Sequence, residues 1–529
     1  MTRSLRSLLA ATACGLMTTA AAASAQTQPA VPPTDLPGAV TEVLRPAPAS
    51  TTAATAPGVL QLAAAARVTA GSIGGYAVDP SGTRSSSSPQ GASRLSLRGD
   101  LDSGERWGDW SAKARLGGDF VTGTFAGKQT LQGDQLPASR LDMALLTDAW
   151  AGIALKNQVD VRAGVMTSHW GMGLVAHDGA QAFDGRRQDW FSLPSTGDRV
   201  ARAMVIAQPF GLKEHALRGL VLAAAVDRVI EDANASRAAG DVANQGSLAA
   251  RWYLASQQWL GLYYLYREQS YASGRWLHAH VLDGTFDLDF SKDGQGLRLQ
   301  AEAAAILGTS NLGPTPEYPQ HNVRQGAAVA RARYDIGALR LEFDAGWLSG
   351  DDQLDDGTRS AFKANPNYQQ GIILFSQVLA TQSGRARLTA SNLQYMAQPA
   401  QDIDQLATKG SVTSAVTFFP KIGWKHSDLL EVYGGVLFAL APAIPIDPFS
   451  TTTSGGGQPR NFLGNIPTSS QLGSEFDLGV ASTFSRASLP LAFQVRAEYG
   501  VLLPGGALAG LNSPIQGGRL TLAFLPSVR

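Results

Sequence analysis

From Arg67 to Leu525 the chain reads as a ladder of about eighteen segments, each of ~8–15 residues, in which apolar and polar side chains alternate. In Gln158-Val159-Asp160-Val161-Arg162-Ala163-Gly164-Val165 every second side chain is apolar, and those between are charged, polar or small. Successive strand side chains point to opposite faces, so each segment has one apolar wall and one wet wall. The alternation predicts strands over 67–78, 92–101, 109–121, 142–156, 158–166, 198–208, 216–227, 246–256 and 258–268. It continues over 275–290, 295–307, 325–335, 338–349, 409–422, 428–440, 471–485, 489–501 and 515–525.

Tight turns such as Asn157, Gln257, Ile336-Gly337 and His426-Ser427 alternate with long connections at 122–141, 167–197, 228–245, 308–324, 350–408, 441–470 and 502–514. With every tight turn on one side, an even strand count returns both chain ends to that side, as in bacterial outer-membrane barrels. The expected fold is all-β: a single transmembrane antiparallel β-barrel with short periplasmic turns and long extracellular loops. Gly371-Ile372-Ile373-Leu374-Phe375 and Arg385-Ala386-Arg387-Leu388 also have strand character. An extra hairpin in 371–397 keeps the count at roughly sixteen to twenty.

The two faces assign the solvent. In 338–349, Leu339, Leu341, Phe343, Ala345 and Trp347 oppose Arg340, Glu342 and Asp344; in 489–501, Phe493, Val495 and Tyr499 oppose Gln494, Arg496 and Glu498. An Arg or Lys facing lipid near the bilayer midplane costs about 2–4 kcal/mol, so the charged faces look inward. The expected lumen-lining set is Arg98, Asp160, Arg162, Arg298, Glu302, Arg331, Arg333, Arg340, Glu342, Asp344, Arg496 and Glu498, with Asp100 and Asp477 beside them. These charges either create a field that selects solutes or pair with one another across strands. A barrel this wide should hold water, narrowed by loops. Trp259, Trp276, Trp347 and Trp424 near strand ends, with Tyr263 and Tyr264, suit interfacial girdles.

Composition agrees. Charged residues are 16% of the 529, against about 25% in ordinary soluble domains. No apolar run of about twenty residues follows the N-terminal segment, which excludes a helical span. Arg3 and Arg6 precede the apolar run Leu8 to Met17, and Ala23-Ser24-Ala25 offers a cleavage pattern, so 1–25 reads as a secretory signal. A retained anchor or a lipoprotein signal ending at Cys14 is the alternative. Cleavage would remove the only cysteine and two of the 43 basic residues, leaving a nearly neutral chain unsuited to nucleic acid. Residues 26–66, rich in Pro, Ala and Thr, read as a disordered periplasmic leader in which Val59 to Ala66 could form a short helix; 67–529 is the barrel.

The loops carry the candidate chemistry. The third long loop holds His169-Trp170-Gly171-Met172-Gly173, then His177-Asp178-Gly179, Arg186-Arg187 and Asp198-Arg199. This Trp-Gly-x-Gly, Asp-Gly, Asp-Arg succession resembles a family of large, functionally uncharacterised Gram-negative outer-membrane β-barrels, which implies location and architecture but no activity. General porins often fold their third loop inward, and that resemblance makes His169, Trp170, His177, Asp178, Arg186 and Arg187 constriction candidates. His169, His177 and Asp178 could in principle bind a metal, but their spacing matches no established ligand pattern, which favours ordinary loop polarity. In the seventh loop, Asp351, Asp352, Asp355 and Asp356 could bind Ca²⁺ or Mg²⁺ through oxygen ligands or form a solvated acidic loop. Gly350-Asp351-Asp352 ahead of Asn365-Pro366-Asn367 is locally similar to alginate-export barrels.

No Gly-x-Ser-x-Gly, His-Glu-x-x-His or Gly-x-x-x-x-Gly-Lys motif occurs, so no enzyme is expected. The reading is a porin-like outer-membrane channel, monomeric or trimeric, for passive passage of small polar or charged solutes. Its expected partners are outer-membrane lipid and the barrel-assembly machinery, the latter through Arg519-Leu520-Thr521-Leu522-Ala523-Phe524, which resembles a C-terminal assembly signal. The alternatives are an export barrel for polysaccharide, a non-conducting structural barrel, and a secreted soluble β-rich hydrolase with an apolar interior.

Overall fold

The computed structural model describes residues 59–526 apart from 86, 88, 105–107, 124–142, 156–157, 180–188, 212–214, 256–257, 315–316, 354–355, 393–406, 454–455 and 486–490. The signal segment 1–25, the leader to 58, Arg186, Arg187 and Asp355 lie outside the described residues. Nineteen strands form one sheet: β1 (Val59–Ile73), β2 (Gln90–Asp102), β3 (Trp110–Gly123), β4 (Met143–Leu155), β5 (Val159–Thr167), β6 (Arg199–Ala207) and β7 (Leu220–Glu231). Next come β8 (Val242–Ala255), β9 (Gln258–Ser270), β10 (Trp276–Asp289), β11 (Gly296–Ser310), β12 (His321–Ile336) and β13 (Leu339–Leu348). Then follow β14 (Thr358–Arg359), β15 (Ala415–Ser427), β16 (Leu430–Leu440), β17 (Gln471–Ser485), β18 (Leu491–Pro504) and β19 (Ile515–Pro526). β14 is a two-residue bridge running parallel to β12. The other eighteen form antiparallel ladders, each beside its neighbour in sequence, and β1 closes the ring by pairing with both β2 and β19. Closure leaves no unpaired edge among the wall strands, the condition for a sheet in hydrocarbon.

All eighteen expected wall strands are present. β1 starts at Val59, eight residues before the expected boundary, because Val59 to Ala66 pairs with β2 from Asp102 to Leu95 instead of forming a helix or leader. The run Ala63-Ala64-Ala65-Ala66 has too little contrast between its faces to reveal the alternation.

The walls have the expected sidedness. Leu62, Leu116, Val226, Leu262 and Leu478 are 59–79% exposed, whereas Asp160, Arg162, Glu302, Asp344, Arg496 and Glu498 are at most 7% exposed. Apolar side chains thus face out and charged ones in, the reverse of the soluble-hydrolase alternative. Two aromatic assignments change. Trp259 lies on the same face as Gly261 and Tyr263, under the guanidinium of Arg251 at 3.5 Å, so it faces the lumen and not a membrane girdle. Tyr263 likewise stacks on Trp170 inside the barrel at 5.3 Å. Trp347 and Trp424 do face outward, 43% and 45% exposed.

The interior departs from a water-filled tube. Leu374–Leu379 forms a short π-helical stretch that continues as α1 (Ala380–Ser391), so 371–391 is an inserted helix and not a wall hairpin. Ile372, Ile373, Leu374 and Phe375 are each at most 6% exposed. Four consecutive apolar residues lack the alternation of a lipid-facing strand because all of them are buried inside the barrel. They join Tyr76 and Val78 of the first loop, Leu174 and Phe191 of the third, and Phe419 and Leu437 of the wall in one apolar cluster.

Candidate functional site

The third loop enters the lumen as a tight hairpin, closed by the Trp170 N–H donating to Ala176 O at 3.1 Å. Gly171 and Gly173 take positive φ values of 55° and 85°, and a Cβ at Gly171 would fall 2.5 Å from Glu302 Oε2. That close approach lets Glu302, on the wall strand β11, accept the N–H groups of Met172 and Leu174. Trp170 Nε1 donates to Asp283 Oδ1 on β10 at 3.0 Å.

Further on, the same loop reaches the end of the barrel that carries the short turns. Trp190 stacks on Tyr433 at 5.2 Å and donates to Glu431 Oε1, while the Phe191 N–H donates to Glu498 Oε1 at 3.0 Å. Gly423 makes room for this indole, since a Cβ there would lie 2.3 Å from Trp190 Cη2.

The seventh loop locks onto the third. Asn365 N donates to Leu174 O, Asn367 Oδ1 accepts the Ser195 N–H at 2.8 Å, and Gln369 Oε1 accepts the Leu193 N–H at 2.7 Å. The Asn-Pro-Asn segment is therefore a clasp between two inserted loops. The inserted helix is held at its N-terminus by Glu475 of β17, which accepts the N–H groups of Ile372, Ile373 and Leu374 at 2.5, 2.7 and 2.7 Å. A carboxylate against free amides is the favourable polarity at a helix start.

Most expected lumen charges meet a partner of opposite sign. Arg162 forks onto Asp160 at 2.8 and 2.9 Å beneath the Trp150 ring, and Arg298 pairs with Asp287. Arg331 forks onto Asp344 at 2.7 and 3.0 Å and reaches Asp189 at 2.9 Å. Glu342 and Asp344 also hold Lys421, and Arg333 and Arg340 share Asp335. Arg98 lies 3.0 Å from Asp100, and Arg496 3.2 Å from Glu498. The two signs are interleaved, some pairs two residues apart on one strand and others across strands, which supports mutual pairing of the lumen charges over a segregated field.

One region is different. A small cavity lies between the third loop at Ser192-Leu193 and the wall, lined by Arg67, Arg94, Arg496 and Thr521. Arg94 pairs with Asp119 at 2.6 Å; Arg496 shares Glu498 with Arg519. Arg67 donates to the neutral carbonyl of Pro194 at 2.5 Å. Among the described residues, the three lining guanidiniums and the adjoining Arg519 thus have two carboxylates, Asp119 and Glu498, as direct ion-pair partners, leaving a positive excess. Sequence reading did not single out Arg67, Arg94, Arg519, Asp283 or Glu475. Period 2 from Arg496 to Glu498 and from Glu475 to Asp477 was available, but Arg67 stands among alanines that hide its face.

Of the acidic-loop residues, Asp351 accepts the N–H groups of Gln353 and Ser360, and Asp356 that of Thr358. These carboxylates serve as local turn caps. Burial raises the Asp351 carboxyl above its ordinary range. Burial lowers His177 to about 3, with His169 adding to the effect. His169, His177 and Asp178 do come together, their ligating atoms all within 4.8 Å.

No protein-family model matches the sequence, and no curated protein matches it. Among solved structures the chain is similar to Pseudomonas aeruginosa OccK11 (OpdR), at 12% identity and TM-score 0.47 over 89% of this chain and 96% of that one. It is also similar to Acinetobacter baumannii OccAB1, at 10% identity and TM-score 0.48 over 88% and 96%. A third is P. aeruginosa OccK2 (OpdF) in complex with glucuronate, at 12% identity and TM-score 0.47 over 89% and 98%.

Proposed function

We propose that the chain is a porin-like outer-membrane channel for small polar solutes, with a preference for anions beside the arginine-lined cavity at the third loop. The supporting observation is the sidedness of the closed wall: Leu and Phe rows outside, paired Arg, Asp and Glu rows inside. That arrangement suits hydrocarbon around the barrel and solvent within it. The excess of guanidinium around Arg67, Arg94, Arg496 and Arg519 favours a negatively charged solute. Outer-membrane lipid and the barrel-assembly machinery are the partners this reading requires, and an N-terminal signal the route of export.

The helix lodged in the lumen favours a second reading, in which the barrel is closed until the seventh loop moves. Planar-bilayer recording on the folded protein tests both. Stepwise conductance with a reversal potential favouring anions is expected; absence of steps from folded barrel, with the seventh loop both intact and loosened, overturns the channel. Conductance that emerges only on loosening supports the closed barrel.

A further inference from the structure

We infer that His169, His177 and Asp178 form a three-ligand site for a divalent first-row transition ion such as Zn²⁺ or Cu²⁺. The hairpin closed by Trp170 N–H to Ala176 O brings positions 169 and 177 face to face, so ligands eight residues apart meet without any sequence-adjacent pattern. The imidazoles sit edge to face with centroids 4.8 Å apart. Asp178 Oδ1 lies 3.4 Å from His169 Nδ1 and 3.7 Å from His177 Nδ1. Ligands 2.0–2.2 Å from a tetrahedral Zn²⁺ are separated by about 3.3–3.6 Å, so the cluster is close to ligating geometry.

Three further features fit a ligand site better than idle loop polarity. His169 Nδ1 is a buried nitrogen with no hydrogen-bond partner, although it points at the carboxylate. Gly173, at φ 85°, lies against both rings: a Cβ there would fall 2.4 Å from His177 Cδ2 and 3.4 Å from His169 Cε1. The site also has open space beside it, because His169 lines a small cavity with Ser168 and Ala176. Two imidazoles with one carboxylate suit Zn²⁺, Cu²⁺ or Ni²⁺ over Ca²⁺ or Mg²⁺. His177 Nδ1 now accepts the Gly179 N–H at 2.9 Å, so ligation through that atom exchanges this hydrogen bond for a metal bond. The His177 N–H faces Asp198, whose carboxylate also accepts from Asn365 Nδ2 at 2.8 Å, so a bound ion would brace the joint between the third and seventh loops.

The test uses the full barrel without a polyhistidine tag, folded in detergent and titrated with ZnCl₂ by calorimetry and with CuCl₂ by electron paramagnetic resonance. One ion per chain is expected, with the Cu²⁺ spectrum carrying couplings from two imidazole nitrogens. His169→Ala, His169→Gln and Asp178→Asn should each weaken Zn²⁺ binding by at least about tenfold, while His215→Ala leaves it unchanged. Heat-modifiable migration confirms that each variant is folded. Absence of stoichiometric binding in the wild type overturns the site, as does binding that survives His169→Ala and Asp178→Asn. The binding readout does not depend on conductance, so the channel reading stands or falls separately.

Discussion

Glu475 on β17 accepts the backbone N–H of Leu374 at 2.7 Å, and with it those of Ile372 and Ile373, so one wall carboxylate ties down the start of the inserted helix. Glu302 does the same for the third-loop hairpin at Met172 and Leu174. Both glutamates are buried, where an amide left without its acceptor costs about 1–3 kcal/mol. The two inward loops are thus held by discrete tethers as well as by apolar contact.

Glu475→Gln retains one carbonyl oxygen and puts an amide donor where the second oxygen accepted an N–H, so the three amides are no longer all satisfied. The expected result is a loosened 372–391 segment: faster limited proteolysis there, and larger or noisier conductance steps, with barrel closure intact. A proteolysis pattern identical to wild type would mean that apolar contact alone seats the helix.

The eighteen wall strands are legible in the sequence because a sheet between lipid and solvent must alternate on every strand, and β13 and β18 do so with charges against Leu and Phe. Legibility fails where that constraint lapses. Val59 to Ala66 is strand, but its alanines have no polarity contrast. Ile372 to Phe375 looks like strand by composition, yet it is buried inside the lumen on all sides. Trp259 and Tyr263 have the chemistry of a girdle and the parity of the inner face, and parity decides. The site is least legible of all: Arg67, Glu475 and the clasp of Asn367 on Ser195 depend on contacts between segments over 100 residues apart.

Arg67 offers the cleanest test of selectivity, since it donates to Pro194 O and has no ion-pair partner among the described residues. Arg67→Gln removes positive charge from the cavity without leaving a carboxylate orphaned. The reversal potential in a salt gradient should move toward cations while thermal stability changes little. An unmoved reversal potential would place the solute route elsewhere.

Lys421 gives the opposite outcome. It is 1% exposed at its side chain and faces both Glu342 and Asp344, which otherwise share Arg331. Lys421→Met leaves two buried carboxylates with one guanidinium; breaking a buried pair in this way costs about 3–5 kcal/mol. Urea unfolding of the folded barrel should show a loss of that size, and Lys421→Met with Glu342→Gln should recover part of it. Equal stability of the single variant and wild type would mean that water reaches this cluster freely.

Lys363, in the seventh loop outside the wall strands, makes stability depend on pH. Removal from water pushes its amine down to about 7, and the nearby charges of Lys409 and Arg387 push in the same direction. An unfolded lysine titrates near 10.4, so from pH 7 to about 10 the unfolded chain binds more protons than the folded one. Stability from this group therefore rises with pH across that window and is flat below it, where both states are protonated. Lys363→Met abolishes the group's titration: its unfolding free energy should climb less steeply than that of wild type between pH 7 and 10, measured by denaturant titration in detergent. Parallel pH profiles for the two proteins would mean that the Lys363 amine remains hydrated in the folded barrel.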